Sequence, residues 1–354
     1  MRLVAVEKII PGMLLAEEVI RMDGNAVVIH YKKNEILDQK MCDVLKKLHF
    51  DSVMIQDERF PRVMPPLLLS VELRETLYGI LSALFKQIEK KPKSVTRDSF
   101  TAFYPHIRDM VYEFREVRVF SPVASLKKQT EFIADHAVNT AILAAGIGKK
   151  LKFSSDMLEK TIFAALFHDV GMLFLPMSLY SERKILTEHE RIEIARHTEL
   201  GFEFLQSFNL SGIGALAAYT VLRHHERGDG SGYPGGRMHT DINKATQVCG
   251  IADYYCALIS ERPYRHAYSR YEALRMFIER NTAFPPEIRE ACLHSVVVFP
   301  NGSEVILNTK EHAIVLAQTT NQYKPIVGIF DSGDSITEVN LNTDARRRID
   351  DCSI

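Results

Sequence analysis

Along this chain the spacing of apolar positions changes period twice. The first sixty residues carry short apolar runs. Val27–His30 and Ser52–Ile55 predict strands, Asp23-Gly24-Asn25 a turn, and Gln39–Leu48 one short helix. Pro61, Pro65 and Pro66 then punctuate the chain. From Leu67 to Lys90 apolar residues recur at helical spacing: Leu73, Leu77, Ile80, Leu81, Leu84 and Phe85. The polar stretch KKPKSVTRD links this helix to another near Phe100–Phe114. Between Ser125 and Cys292 the pattern is helical almost throughout, and Thr187-x-x-Glu190 is a capping box that opens one of the helices. After His294 come short β-type runs, at Val296–Phe299, Glu304–Leu307, Ala313–Ala317 and Pro325–Phe330, separated by Asn-Gly, Lys-Glu and Asn-Gln.

These periods predict a mainly α protein, a helical bundle with a small module at each end. The expected division is an α+β module over 1–60, connecting helices over 61–124 and the bundle over 125–293. A β extension of SH3-like type follows over 294–342, then a solvated tail over 343–354. The amphipathic helix at 67–90 offers a face for pairing with a second copy, so a homodimer is open.

Composition narrows the function classes. Lys+Arg number 44 and Asp+Glu 45, so no global basic field draws the chain onto DNA or RNA. A small anionic ligand needs only a local basic patch. The five cysteines are scattered, with no C-x-x-C pair, which argues for a reducing compartment over a disulfide framework. The start, MRLVAVEKIIPGM, does not read as a signal peptide, and the longest apolar run, near Leu210–Leu222, is too short to cross a bilayer. A cytoplasmic location without a membrane partner is expected.

The candidate chemistry lies in the helical region. His136, His168, Asp169, His197, His224, His225 and Asp253 recur in clusters roughly one helical hairpin apart, as they would if a bundle brought ligands to one interior point. Imidazole and carboxylate form the ligand set for Fe, Mn or Zn. An aspartate can bridge two metals. Two metals roughly 3.5–4 Å apart can hold a hydroxide and clamp both oxygens of an in-line displacement at phosphorus. Each histidine alone is more often an ordinary core or surface residue, and eight of the 13 are read that way. The run HHERGDGSGYPGG, from His224 to Gly236, is more specific. Its five glycines let the backbone turn sharply and approach a ligand closely, and Pro234 stiffens it.

The chain resembles the HD-GYP family. The motifs HDVGM (168–172), HHERGDGSGYPGG (224–236) and IADYYCALISERPYR (251–265) carry the likeness, which covers about residues 125–292. VEKIIPGMLLAEEV looks like the small module that often precedes this domain, and the region after 294 like a β extension of some members. The resemblance implies an HD-type helical bundle around a metal centre. It also implies hydrolysis of the bacterial messenger cyclic di-GMP, to the linear dinucleotide pGpG or on to GMP. It assigns His136, His168, Asp169, His197, His224, His225 and Asp253 as metal ligands. Asp169 would be the bridge between two divalent ions, Fe or Mn, and Asp169 and His168 the catalytic pair. Arg262 and Arg265 in RPYR match the family's basic residues, and an arginine fork suits phosphate or a guanine edge. Gly232, Tyr233 and Pro234 would line the substrate.

Two positions depart from the family pattern. Where some members carry a glutamate that helps hold a third metal, this chain has Phe132, with Glu131 one residue away, which favours two metals. Where the family usually reads HDxGK, the chain has Met172, which can neither stabilise charge nor protonate a leaving oxygen. Three functions follow. The first is an active cyclic di-GMP phosphodiesterase. The second is a catalytically impaired protein that binds cyclic di-GMP as a sensor. The third is an HD phosphohydrolase for another nucleotide, or a scaffold for GGDEF-type cyclases.

Overall fold

The structure is a computed structural model. It describes all residues except 24–25, 48–49, 51, 61–62, 64–68, 115–128, 182–185, 211, 261–267, 269, 281–282, 331–335 and 353–354. Two compact units divide the chain. One combines residues 1–67 and 123–126 with 296–354; the other holds 68–122 and 127–295. The units therefore do not follow the linear order expected above.

In the first unit, β1 (Arg2–Ala5), β2 (Val19–Asp23), β3 (Ala26–Tyr31), α1 (Gln39–Lys47) and β4 (Ser52–Ile55) form the N-terminal part. β1 pairs antiparallel with β4, and β2 with β3. Val4, Val6, Leu15, Leu37, Leu45 and Ile55 close a small core there. Five strands follow in the C-terminal part: β5 (Glu304–Leu307), β6 (His312–Ala317), β7 (Ile326–Phe330), β8 (Ile336–Asn340) and β9 (Ile349–Cys352). They make one antiparallel sheet in the order β8-β7-β6-β5-β9. Leu3 N–H donates to Gly302 O at 2.9 Å, the Phe60 ring meets Phe330 edge-on, and Phe60 and Val63 share a core with Ile314. The two ends of the chain are thus one folded body.

Two expectations are corrected here. The solvated tail is instead partly an edge strand, because Ile349, Asp351 and Cys352 register against Leu307, Ile306 and Val305. Val296–Phe299 is not one of the strands; all four residues are buried, so their apolar run reports burial and not alternation.

The second unit is helical: α2 (Val71–Lys90), α3 (Arg97–Thr101), α4 (Tyr104–Glu113), α5 (Gln129–Lys150), α6 (Ser155–Phe167), α7 (Ser178–Ser181), α8 (Glu188–Ala195), α9 (His197–Gln206), α10 (Ile213–Arg223), α11 (Lys244–Leu258), α12 (Arg270–Arg280) and α13 (Pro286–Leu293). The centre is α5, packed against α2, α6, α11 and α13. Its buried Ala134, Ala137, Ala141, Ala144 and Ala145 have little bulk, so neighbouring helices come close. α2 buries Leu73, Leu77, Leu81, Leu84 and Phe85 and packs on α5. The face expected to be open for a second copy is therefore occupied within the chain. The Thr187–Glu190 capping box forms at the start of α8, satisfying N–H groups at both of its positions.

An aromatic cluster positions the end of α6. Phe167, the last residue of that helix, meets Phe163, Phe103, Phe100 and Phe85 with ring centroids 4.8, 5.2, 5.3 and 6.4 Å away. The next residue is His168. Burying one such ring is worth about 1.5–3 kcal/mol, so the cluster anchors the chain where the candidate chemistry begins. Among the described residues no helix is long and apolar enough to cross a membrane.

Candidate metal centre

Seven side chains converge inside the helical unit from five places in the sequence. His136 comes from the second turn of α5, and His168 and Asp169 follow α6. His197 opens α9, His224 and His225 follow α10, and Asp253 lies in α11. They form two groups, Asp169 with His197, His224 and His225, and His136 with His168 and Asp253. Within each group the candidate ligand atoms all lie within 4.8 Å of one another.

Three of the imidazoles are aimed by the same local device. Nδ1 of His168, His197 and His224 contacts the carbonyl oxygen three residues earlier, Ala165 at 2.8 Å, Ile194 at 2.7 Å and Val221 at 2.9 Å. A carbonyl only accepts, so Nδ1 carries the hydrogen and donates it, and in the neutral ring Nε2 is left with its lone pair. All three Nε2 atoms face the centre. Asp169 sits between them. Its Oδ1 lies 3.3 Å from His197 Nε2 and 3.6 Å from His224 Nε2, and its Oδ2 lies 3.4 Å from His168 Nε2. Asp253 serves the other side, with Oδ1 at 2.9 Å from His136 Nε2 and 3.7 Å from His168 Nε2, and Oδ2 at 3.9 Å from His225 Nδ1.

Gly171 makes this closeness possible. A Cβ at that position would lie 1.8 Å from His197 O and 2.7 Å from Gly201 N, so only glycine lets the turn after Asp169 lie against the start of α9. Burial then sets the direction of approach. The side chains of His136, His168, His197 and His224 are at most 2% exposed, whereas Asp169 keeps 18% and His225 21%. The centre opens on the Asp169–His225 side.

Electrostatics keep most of the set in ligand form. Desolvation works against charge on Asp169, yet His168, His224 and His197 outweigh it and hold the carboxyl well below its ordinary range. Asp253 is held low in the same way, against its own desolvation, by His136, His168 and His225. Burial lowers His197 to about 4, and burial with His224 beside it lowers His225 well below the usual imidazole value. His168 goes the other way. Burial opposes its charge, but Asp169 and Asp253 outweigh burial and raise it well above that value.

A cation fits these residues. His197 Nε2 and His224 Nε2 are 3.4 Å apart, and with Nδ1–H already donated neither neutral ring offers the other a proton. His168 Nε2 is fully buried without a hydrogen-bond partner of good geometry. The His197 and His224 lone pairs and the Asp169 carboxylate oxygen beside them repel unless a positive charge lies between them. Asp169, His197, His224 and His225 could hold one ion, and His136, His168 and Asp253, with the second oxygen of Asp169, another. A metal must displace the His168 proton, so its affinity should fall as pH drops, by about tenfold per pH unit while that group is protonated. Chelator-competition titrations between about pH 8 and about pH 6 measure this slope. A flat profile would show that His168 gives up no proton on metal binding.

The remaining expected site residues fall in three places. Tyr233 lies against His225, with centroids 4.7 Å apart and the rings tilted by 30°, at the open side. Gly232 lies flat on the end of the α10 segment, since a Cβ there would lie 2.2 Å from Arg227 N. Pro234 is exposed in the same loop. Met172 is half-buried in a 3-10 turn over Val170–Phe174, and its N–H donates to Asp169 O at 2.9 Å. Phe132 lies parallel to the His136 ring, with centroids 6.0 Å apart. Arg262 and Arg265 lie outside the described residues, as do Arg183 and Lys184.

Sequence reasoning missed two neighbours of the His pair. Glu226 is buried and accepts from Arg223, Gly235 N–H and Arg237 N–H. Arg227 donates to the carbonyls of His224 and Glu226 and lies over the Phe284 ring. Both stand inside the HHER run, and a charged pair beside a glycine-rich loop was the available signal.

An all-helical unit that gathers buried imidazoles and carboxylates around one centre is the architecture of an HD-type phosphohydrolase domain, a metal-dependent class. Residues 118–288 match the family model described as the HD domain. The matched region is an HD domain, and its GYP run resembles that of the HD-GYP family. The chain is 28% identical over 218 residues to a cyclic di-GMP phosphodiesterase of Pseudomonas aeruginosa, covering 60% of this chain and 52% of the relative. It is 28% identical over 223 residues to a cyclic di-GMP phosphodiesterase of Thermotoga maritima, covering 62% and 59%. The chain thus spans little more than half the length of these relatives. A solved HDG"Y"P protein from Bdellovibrio bacteriovorus aligns with a TM-score of 0.49 at 12% identity, over 82% of this chain and 97% of that one.

Proposed function

We propose that this chain hydrolyses the phosphodiester bonds of cyclic di-GMP, giving pGpG or GMP, at a centre of two divalent metals. The observation that carries this reading is the placement of Asp169, with one oxygen toward His197 and His224 and the other toward His168. Two ions of Fe or Mn would supply positive charge to the scissile phosphate and acidify water.

The chain's own residues do the rest. Nδ1–H bonds to backbone carbonyls turn Nε2 of His168, His197 and His224 toward the centre, where His168 must give up a proton before it can ligate. Asp169 and Asp253 stay ionised and offset the metals' charge. The substrate enters on the Asp169–His225 side, where Tyr233 forms a wall of the opening. Arg262 and Arg265 would grip phosphate or a guanine edge. The names of the two relatives support cyclic di-GMP as the substrate.

Elemental analysis of protein prepared without chelators should find two metals per chain, and the same sample should convert cyclic di-GMP to linear products on chromatography. One metal or none in folded protein would remove the dinuclear reading. A fully loaded sample that leaves cyclic di-GMP intact would remove the substrate.

A further inference from the structure

We infer that Glu226 is a positioning residue that pins the glycine-rich loop onto the end of α10 and so sets Tyr233 over His225 at the mouth of the metal centre. The inference rests on reading that centre as hydrolytic.

The Glu226 carboxylate is fully buried. Its Oε1 accepts from Gly235 N–H and from an Arg223 guanidinium nitrogen, each at 2.8 Å, and its Oε2 accepts from Arg237 N–H, also at 2.8 Å. Two of the three donors are backbone groups nine and eleven residues further along the chain, at the far end of the loop. The near end is tied by Tyr233 N–H, which donates to His225 O at 3.2 Å, and by Gly232, whose missing Cβ lets the loop lie on Arg227 N and His225 O. Tyr233 is held between these ties. Its ring rests on His225, one of the two centre residues with the most exposed side chains.

Residue type matters at position 226. An ionised carboxylate is acceptor-only, with capacity for all three donors, whereas a glutamine must turn an NH2 toward one of them. Arg223 alone could be satisfied by any nearby acceptor. The two loop N–H groups are what make a carboxylate specific here.

The test is a double-mutant cycle on metal-loaded protein, with Glu226→Gln, Tyr233→Ala and the pair. Glu226→Gln should lower kcat/KM for cyclic di-GMP by roughly 10–100-fold, the range for partners that orient a centre from outside it, with metal content unchanged. In the Tyr233→Ala background the same change should cost less than about twofold. Trypsin should also cut after the exposed Arg237 faster in Glu226→Gln than in the wild type. Full kcat/KM, loss of metal, an equal penalty in both backgrounds, or an unchanged cleavage rate would each overturn the inference. Bis(p-nitrophenyl) phosphate separates the two readings. If wild type hydrolyses this ester and not cyclic di-GMP, the substrate reading fails and the cycle on the ester still decides Glu226. If wild type hydrolyses neither, the hydrolytic reading fails and takes the inference with it.

Discussion

Asp169→Ala is expected to abolish turnover and to strip metal from both halves of the centre. Asp169 has one oxygen 3.3 and 3.6 Å from His197 and His224 and the other 3.4 Å from His168, whereas the second oxygen of Asp253 lies 3.9 Å from His225. On the proposed two-metal reading, its removal would take a ligand from each ion and also the negative charge that would offset them. Loss of a single preorganised electrostatic group commonly costs on the order of 10²–10³ in rate. Here the loss is compounded by two weakened metals, so the residual rate should fall below that range. Elemental analysis and turnover are measured on the same preparation, with circular dichroism to show that the helices persist. The control is Asp169→Asn, which keeps shape and loses charge. It should lower the pKa of His168, because desolvation would then meet one carboxylate fewer. An Asp169→Ala protein with full metal and full rate would place the hydrolytic centre elsewhere in the chain.

Met172→Lys is expected to raise turnover by about one to three orders of magnitude, the range for one added electrostatic group. Met172 lies three residues after Asp169 in a 3-10 turn, a geometry that stacks side chains at i and i+3. Its N–H donates to Asp169 O at 2.9 Å, which keeps position 172 beside the aspartate. Methionine offers no charge to a leaving oxygen, so wild type should bind its substrate well and turn it over slowly. A lysine there meets charge that builds in the transition state, so kcat should rise with little change in affinity. The position is half-buried, which lets an ammonium keep contact with water. A pH-rate profile reports whether it keeps its proton. Rapid turnover in wild type, with no gain in the variant, would mean that another cation already supplies the charge.

The seven His and Asp residues were legible because their types are scarce and clustered. A helical period also says that each cluster faces an interior. The GYP run was legible because glycine and proline restrict the backbone locally, whatever the rest of the chain does. Met172 was legible only as a departure from a motif. Glu226 and Arg227 were in view but not singled out, since their partners are backbone groups, which carry no residue-type signal.

By itself the sequence determined what depends on neighbours within about a dozen residues: the helical period from Ser125 to Cys292, five of the short strands (β3 to β7), the Thr187–Glu190 cap and the candidate ligand set. Only the tertiary structure decided which distant segments pair. It joined the two ends of the chain into one unit, gave Ile349–Cys352 a place as an edge strand beside β5, and turned the apolar face of α2 onto α5. It also decided which oxygen of Asp169 meets which imidazole. The physical reason is one of range. Periodicity records that a face must leave water, but any apolar face of the right shape can cover it. Which one does so depends on closing long loops and matching surfaces, which no local pattern encodes.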